Sequence, residues 1–349
     1  MTEQHAFDMT CPLPLAQYPR VLMAHGGGGR LMQQLIEKMF RAAFGNTVQN
    51  HDAARLDIPQ ARLAMTTDSY VVRPLFFSGG DIGALAVNGT VNDLAMAGAK
   101  PLYLSNSFIL EEGLEMETLW RVVQSMRAAA DHAGVSIVTG DTKVVERGHG
   151  DGLFINTTGI GVIEHDFFIA PEQVKAGDTV LLNGDIGRHG MAVLSRRENL
   201  TFDSEIESDT MPLWETVQDL LAAGVRVHCL RDATRGGLAA VLNEIATSAK
   251  MQIDIDDTAI PVDAAVKSAC EILGLDPHHV ANEGRFVAFV AAEDKERARD
   301  IMNRHNPRRD AACIGTVLHG KSGLVTLKTA IGGQRILDMP SGELLPRIC

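Results

Sequence analysis

Two hydrophobic periods alternate along the chain, and their succession predicts its elements. Leu31, Leu35, Ile36, Met39, Phe40 and Phe44 recur at helical spacing after the glycine-rich loop His25-Gly26-Gly27-Gly28-Gly29. A strand-like run over 62–66 leads into Thr67-Asp68-Ser69. Asp81 reads as the N-cap of an apolar helix that runs to Gly98, with Lys100-Pro101 as its stop. A strand over 102–110, a long helix over 115–132, a short strand over 135–139 and a strand over 154–163 complete a first half. The short strand runs directly into Gly140-Asp141-Thr142-Lys143.

Linker residues at 171–177 separate this half from a second. There the pattern predicts strands over 179–182, 225–230, 252–255, 285–290, 312–318 and 324–327. Helices are predicted over 212–223, 237–248, 262–273 and 294–305, with Pro261 in the first turn of the third. The halves end alike, in Gly159-Ile160-Gly161 and Cys313-Ile314-Gly315. The fold class expected is α+β, as two mixed α/β domains over 1–168 and 169–335, followed by a mobile tail, 336–349, that carries Cys349.

Composition narrows the functions. A chain of 349 residues suits about two domains. A net charge of -12 argues against nucleic acid or an anionic membrane as the main partner. No apolar run is long enough to span a membrane, and residues 1–20 do not read as a secretory signal. The five cysteines (Cys11, Cys229, Cys270, Cys313 and Cys349) are odd in number and contain no C-x-x-C pair. That usage reads as reduced, intracellular and cytoplasmic. Cys229, Cys270 and Cys313 lie in apolar contexts, whereas Cys349 has no packing role.

One motif is a decoy. Gly315-Thr316-Val317-Leu318-His319-Gly320-Lys321-Ser322 fits the Walker A expression, but strand-like residues follow it where a P-loop needs a helix. The segment reads as a hairpin turn instead. The informative signal is a set of acids at strand ends or in glycine-rich turns: Asp68, Asp93 beside Asn92, Asp141, and Asp232. Such hard oxygen ligands suit Mg²⁺ on nucleotide phosphates, although each alone also suits a turn or cap. Asp93 stands out because it lies inside an apolar helix, where its charge requires either a metal or a buried Lys or Arg. Gly27 and Gly28 would let backbone amides approach phosphate, and Lys143 would neutralise phosphate charge. Glu283, in Asn282-Glu283-Gly284-Arg285, is either a turn residue or a carboxylate base.

Thr67-Asp68-Ser69, Asn92-Asp93, Gly140-Asp141-Thr142-Lys143 and Asp232-Ala233-Thr234-Arg235-Gly236-Gly237 resemble, in order and spacing, the ATP-binding superfamily of aminoimidazole ribonucleotide synthetase and selenophosphate synthetase. Within it, Pro346-Arg347-Ile348-Cys349, Asp141-Thr142-Lys143-Val144-Val145 and Ala281-Asn282-Glu283-Gly284 are similar to the carbamoyl dehydratases of hydrogenase maturation. The glycine-rich loop departs slightly, since that family often has a Ser among its glycines. The resemblance implies a homodimer that binds ATP near its subunit interface. It implies that Cys349 receives a carbamoyl group from a carbamoyltransferase and that ATP drives its dehydration to a thiocyanate. The cyano group would pass to the iron of a [NiFe]-hydrogenase on an iron-cyanide scaffold complex. On this reading Cys349, Glu283 and Lys143 carry the chemistry. Thr67, Asp68, Asn92, Asp93, Asp141, Gly27 and Gly28 hold the nucleotide, and Asp68, Asp93 and Asp232 hold Mg²⁺.

Two other readings remain open at this stage. A selenophosphate-type phosphotransferase would need a reactive residue near the glycine-rich loop, and Cys11 lies fourteen residues before His25. A non-catalytic adaptor would use ATP only to gate docking of the tail.

Overall fold

A computed structural model describes residues 18–26, 30–44, 62–200 and 205–339. The helix expected after the glycine run is broken into Arg30–Leu35 (α1), a π-helical stretch Ile36–Phe40, and Arg41–Phe44 (α2). Next come strands Arg62–Tyr70 (β1), Phe76–Phe77 (β2) and Gly80–Asp81 (β3), then helix Ile82–Met96 (α3). Lys100–Glu111 (β4), Met116–Ala133 (α4), Ser136–Val145 (β5) and Leu153–Ile163 (β6) follow.

Asp81 caps α3 as expected, its carboxylate accepting from the amides of Gly83 at 2.7 Å and Ala84 at 3.1 Å. Helix α4 presents Leu119, Val122, Val123, Met126 and Ala130 to the core and ends on Gly134 at φ 68°. The four strands run in the order β1-β6-β4-β5, antiparallel except for the parallel β4–β5 pair. Helices α3 and α4 share their core with Leu104, Phe108 and Leu110 of β4. The other sheet face is open, and Leu63, Met65 and Ile109 lie exposed there.

The second half begins with Thr179–Leu182 (β7) and Arg188–Arg197 (α5). It continues through Trp214–Ala222 (α6), Val227–Asp232 (β8), Gly237–Ala249 (α7), Gln252–Asp256 (β9), Ala264–Leu273 (α8) and Phe286–Val290 (β10). Lys295–His305 (α9), Ala312–Leu318 (β11), Val325–Lys328 (β12) and Gln334–Ile336 (β13) close it. The strand order is β13-β12-β9-β11-β7-β10-β8. Strands β11 and β12 do not pair as the expected hairpin; each hydrogen-bonds to β9, one on either side. No helix follows Lys321-Ser322, in keeping with rejection of the P-loop.

Three expectations change. Strands β1 and β5 run longer than their apolar cores, so Thr67, Asp68, Asp141 and Lys143 lie within strands and not in turns after them. Helix α5 lies where no helix is predicted, because Gly187 at φ 88° starts a helix whose first residues are buried. Sheet pairing continues through Ile336, and Leu337 is buried, so the sheet reaches past the boundary drawn at 335.

The halves meet along α3. Ala95 and Met96 share a core with Leu181, Leu213, Phe286 and Ile301 of the second half. A helix between a sheet on one side and a second domain on the other has no solvent face, which is why α3 is apolar almost all round.

Candidate active site

Alternation along β1 places Ala64, Thr66, Asp68 and Tyr70 on the helix-covered side and Leu63, Met65, Thr67 and Ser69 on the open side. Thr66 Oγ1 donates to Asp93 Oδ2 at 2.8 Å. That hydroxyl, and no buried Lys or Arg among the described residues, is the partner of Asp93. Asp232 is the last residue of β8 and pairs in register with Phe286 of β10. Glu283 lies three residues before Phe286, so β8 and β10 deliver Asp232 and Glu283 to the same end of the sheet, against α3.

Burial and mutual repulsion dominate this cluster. Burial, and then the charge of Asp93, push the Asp232 carboxyl up to about 7. Burial also raises Asp93, with Asp68 adding to the effect and Arg231 opposing it. Glu283 lies well above the usual carboxylate range because of burial and the charges of Asp232, Asp209, Asp68 and Asp93. Four carboxyls from both halves therefore act on one another while none has an ion-pair partner among the described residues.

The main chain around Glu283 is tightly held. Asn92 Nδ2 donates to the Glu283 carbonyl at 3.2 Å and to Met211 O at 3.0 Å, while Asn92 Oδ1 accepts from Leu213 N at 2.8 Å. The Asp209 carboxylate accepts from the amides of Glu283 and Gly284, both at 3.3 Å. Asn282 bonds Ala233 O at 2.8 Å and accepts from Gly187 N at 2.7 Å. Asn92 was expected on the nucleotide, yet both halves of its amide are engaged by the second domain's backbone.

Thr67, Asp141 and Lys143 occupy the opposite face. Thr67 accepts from Thr158 Oγ1 at 2.9 Å, and Asn156 Nδ2 donates to Ser69 Oγ at 3.0 Å. Asp141 and Lys143 pair across β4 with Ser107 and Ile109, whereas buried Thr142 opposes Phe108. Lys143 Nζ bonds both oxygens of Asp141, at 2.8 and 2.7 Å, and this holds the Asp141 carboxyl low. The described end of the glycine-rich loop sits beside them: a Cβ on Gly26 would lie 2.6 Å from Val144 N. Gly27, Gly28, Cys11 and Cys349 lie outside the described residues. Three strand steps separate β1 from β5, about 14 Å. One chain thus presents its expected site in two parts, an acid cluster under β1 and a Lys-Asp pair on the far edge.

For a divalent cation the donor set fits in kind. Asp68, Asp93 and Asp232 are oxygen donors whose repulsion a cation would relieve. Among the described residues no three side chains form a metal cage on their own. Mg²⁺ takes one or two carboxylates and completes its shell with phosphate and water.

Sequence reasoning missed Asp209, Arg285 and Asp185. Arg285 Nη2 bonds Asp185 Oδ1 at 2.7 Å, and Asp209 lies 3.8 Å from Arg285 Nε, all three buried. Asp209 sits in a polar stretch that resembles any loop; the only hint was Arg285 itself, a charge opening an apolar strand. Asn106 was also missed, buried in β4 with its Oδ1 unpartnered.

Comparison with known proteins agrees with this architecture. Residues 50–163 match the N-terminal domain and residues 175–328 the C-terminal domain of AIR synthase related proteins. Carbamoyl dehydratase HypE of Azotobacter vinelandii is 51% identical over 94% of this chain and 97% of its own length. HypE of Escherichia coli K12 is 48% identical over 94% of this chain and 99% of its own. A crystal structure of hydrogenase maturation protein HypE in complex with ATP superposes with a TM-score of 0.91 at 47% identity, covering 94% of this chain and 99% of that one. A HypE–HypF complex contains a chain that matches at TM-score 0.78 and 49% identity, covering 88% of this chain and 99% of that one. Thiamine-monophosphate kinase from Stenotrophomonas maltophilia, at 20% identity and TM-score 0.63, shares the fold alone. With half its residues shared along nearly its whole length, and with both domains of the fold in place, the chain belongs to the HypE family of carbamoyl dehydratases that mature hydrogenases.

Proposed function

We propose that this protein uses ATP to dehydrate a carbamoyl group carried on its own Cys349. The observation that carries the reading is Glu283: a buried carboxyl whose affinity for protons is raised, fixed at the main chain beside Asp68, Asp93 and Asp232. A base poised in this way suits removal of an amide N–H. The overall change balances: S–C(=O)–NH₂ and ATP give S–C≡N, ADP, phosphate and a proton. The amide oxygen takes the γ-phosphoryl group, one N–H proton leaves as the imidate phosphate forms, and the second leaves as phosphate is expelled.

Glu283 accepts an N–H proton, and the buried surroundings exclude water that would hydrolyse the activated amide. Asp68, Asp93 and Asp232 are the residues that would hold Mg²⁺ on the phosphates, where the ion neutralises charge on the transferred group. Lys143 polarises the amide and Asp141 orients it, with Thr67 and the glycine-rich loop, Gly27 and Gly28 included, on the nucleotide. Asp68 on β1 and Lys143 on β5 are three strand steps apart and on opposite faces of one sheet, so the proposed site is completed across two subunits. The exposed Leu63, Met65 and Ile109 on the open sheet face are the surface over which a homodimer would form. A carbamoyltransferase supplies the carbamoyl group, and an iron-cyanide scaffold complex receives the product; both partners fit a cytoplasmic protein. Twelve residues lie beyond Leu337, enough to span ~40 Å when extended.

Mass spectrometry of the Cys349 peptide tests the proposal after incubation with carbamoyltransferase, carbamoyl phosphate and ATP. A carbamoyl adduct that loses one water only with ATP is expected, and Glu283→Gln retains the adduct undehydrated. Dehydration at the normal rate in Glu283→Gln would remove the residue from the mechanism.

A further inference from the structure

The segment over 205–213 is stitched to both domains at once. On the first-domain side Ser208 N donates to Ser78 O at 2.8 Å, Asn88 Nδ2 reaches Thr210 Oγ1 at 3.4 Å, and Asn92 takes both Met211 O and Leu213 N. A Cβ on Gly79 would lie 2.6 Å from Ser208 N, so the approach is close. On the second-domain side Asp209 holds the Glu283 and Gly284 amides, and Ser208 Oγ meets His189 Nδ1 at 2.9 Å. Asn92 closes the circuit, because the amide nitrogen that binds Met211 O also binds the Glu283 carbonyl. Its neighbour in sequence, Asp93, belongs to the acid cluster. One turn of α3 therefore presents an acid to the site and fixes the backbone of Glu283 opposite it.

We propose that Asn92 is a positioning residue: it acts with Asp209, through the 205–213 strap, to hold Glu283 at a set distance from Asp93, and it does not bind nucleotide. Asn92 is 1% exposed, and its side-chain amide is engaged by three main-chain groups of the second domain. Loss of these bonds frees the Glu283 peptide without removing any group from the nucleotide. The inference rests on the reading of Glu283 as the base.

The test uses full-length protein carbamoylated at Cys349, with variants Asn92→Ala, Asp209→Asn and Glu283→Gln. Three quantities are measured: the single-turnover dehydration rate at saturating ATP, KM for ATP, and hydrogen exchange of the 281–285 amides. Asn92→Ala is expected to slow dehydration at least about tenfold, to move KM less than about twofold, and to speed exchange at Glu283 and Gly284. Asp209→Asn moves the same quantities in the same directions and decides the matter if Asn92→Ala does not fold. A raised KM at an unchanged rate makes Asn92 a nucleotide ligand and overturns the proposal, as does unchanged exchange over 281–285. Normal turnover in Glu283→Gln sinks the parent reading instead, and the exchange data then judge the positioning claim by itself.

Discussion

Gly284 approaches Asp209 so closely that a Cβ at position 284 would overlap the Asp209 main-chain oxygen. The two segments meet backbone to backbone, and Asp209 is anchored in turn against Arg285. Gly284→Ala must push the strap and the Glu283 turn apart. We expect at least about 2 kcal/mol of destabilisation and loss of most dehydration activity. Urea unfolding together with the Cys349 peptide assay measures both, and a variant of normal stability and rate would show that the contact yields without cost.

Ligand-free protein should weaken as pH rises. The Asp232 carboxyl is raised to about 7 in the folded state by burial and by Asp93. The folded state therefore binds this proton more tightly than the unfolded chain, whose aspartate titrates near 3.9. The stability this confers is fully present below about pH 4 and is lost as pH rises through about 7. Asp232→Asn should flatten that decline between pH 5 and 8 in denaturation curves taken with EDTA. An unchanged slope would count against burial of the charge.

Lys143 and Asp141 form an exposed pair, worth under about 1 kcal/mol to stability. Lys143→Ala should leave the melting temperature nearly unmoved yet lower dehydration sharply. If the complete site draws on two subunits, mixing Lys143→Ala with Glu283→Gln subunits restores part of the activity that each lacks alone. Failure of every mixture to recover activity would place both residues in one subunit's site.

Met65 is 72% exposed on the open sheet face and lies opposite Ile160 of β6. If the proposed homodimer forms over this face, Met65→Glu should shift the protein toward monomer in light scattering while leaving its circular dichroism unchanged. A variant that stays dimeric would move the subunit contact elsewhere.

Most strands and helices were legible because their periods are long and their caps are explicit, as with Asp81 before α3 and Gly134 after α4. Strands β1 and β5 were read short because polar residues on an open sheet face imitate a turn: Thr67, Ser69 and Asp141 point away from the core, so apolar alternation stops while pairing continues. The acids Asp68, Asp93 and Asp232 were legible as a set, and Asp93 as a buried anomaly. Thr66, the partner of Asp93, and Asp209, which holds the Glu283 backbone, were not, since both are polar residues among polar neighbours and only tertiary contact gives them a role. The separation of Lys143 from Asp68 was equally hidden, because spacing along a chain does not report which face of a sheet a residue takes. Pairing of β11 and β12 failed for a related reason: adjacency in sequence suggested a hairpin, whereas β9 lies between them.

Burial of Leu337, whose carbonyl accepts from Asn243 Nδ2 at 2.9 Å, turns the last residues into a tether of fixed radius. Whatever path those twelve residues take, Cys349 stays within ~40 Å of that anchor. Confinement to a sphere of that radius corresponds to an effective concentration on the order of millimolar. If Cys349 carries the carbamoyl group as proposed, the thiol needs little affinity of its own for the acid cluster. A free thiocarbamate would then have to be supplied at millimolar levels to compete, and selectivity for the attached cysteine would follow from the attachment itself.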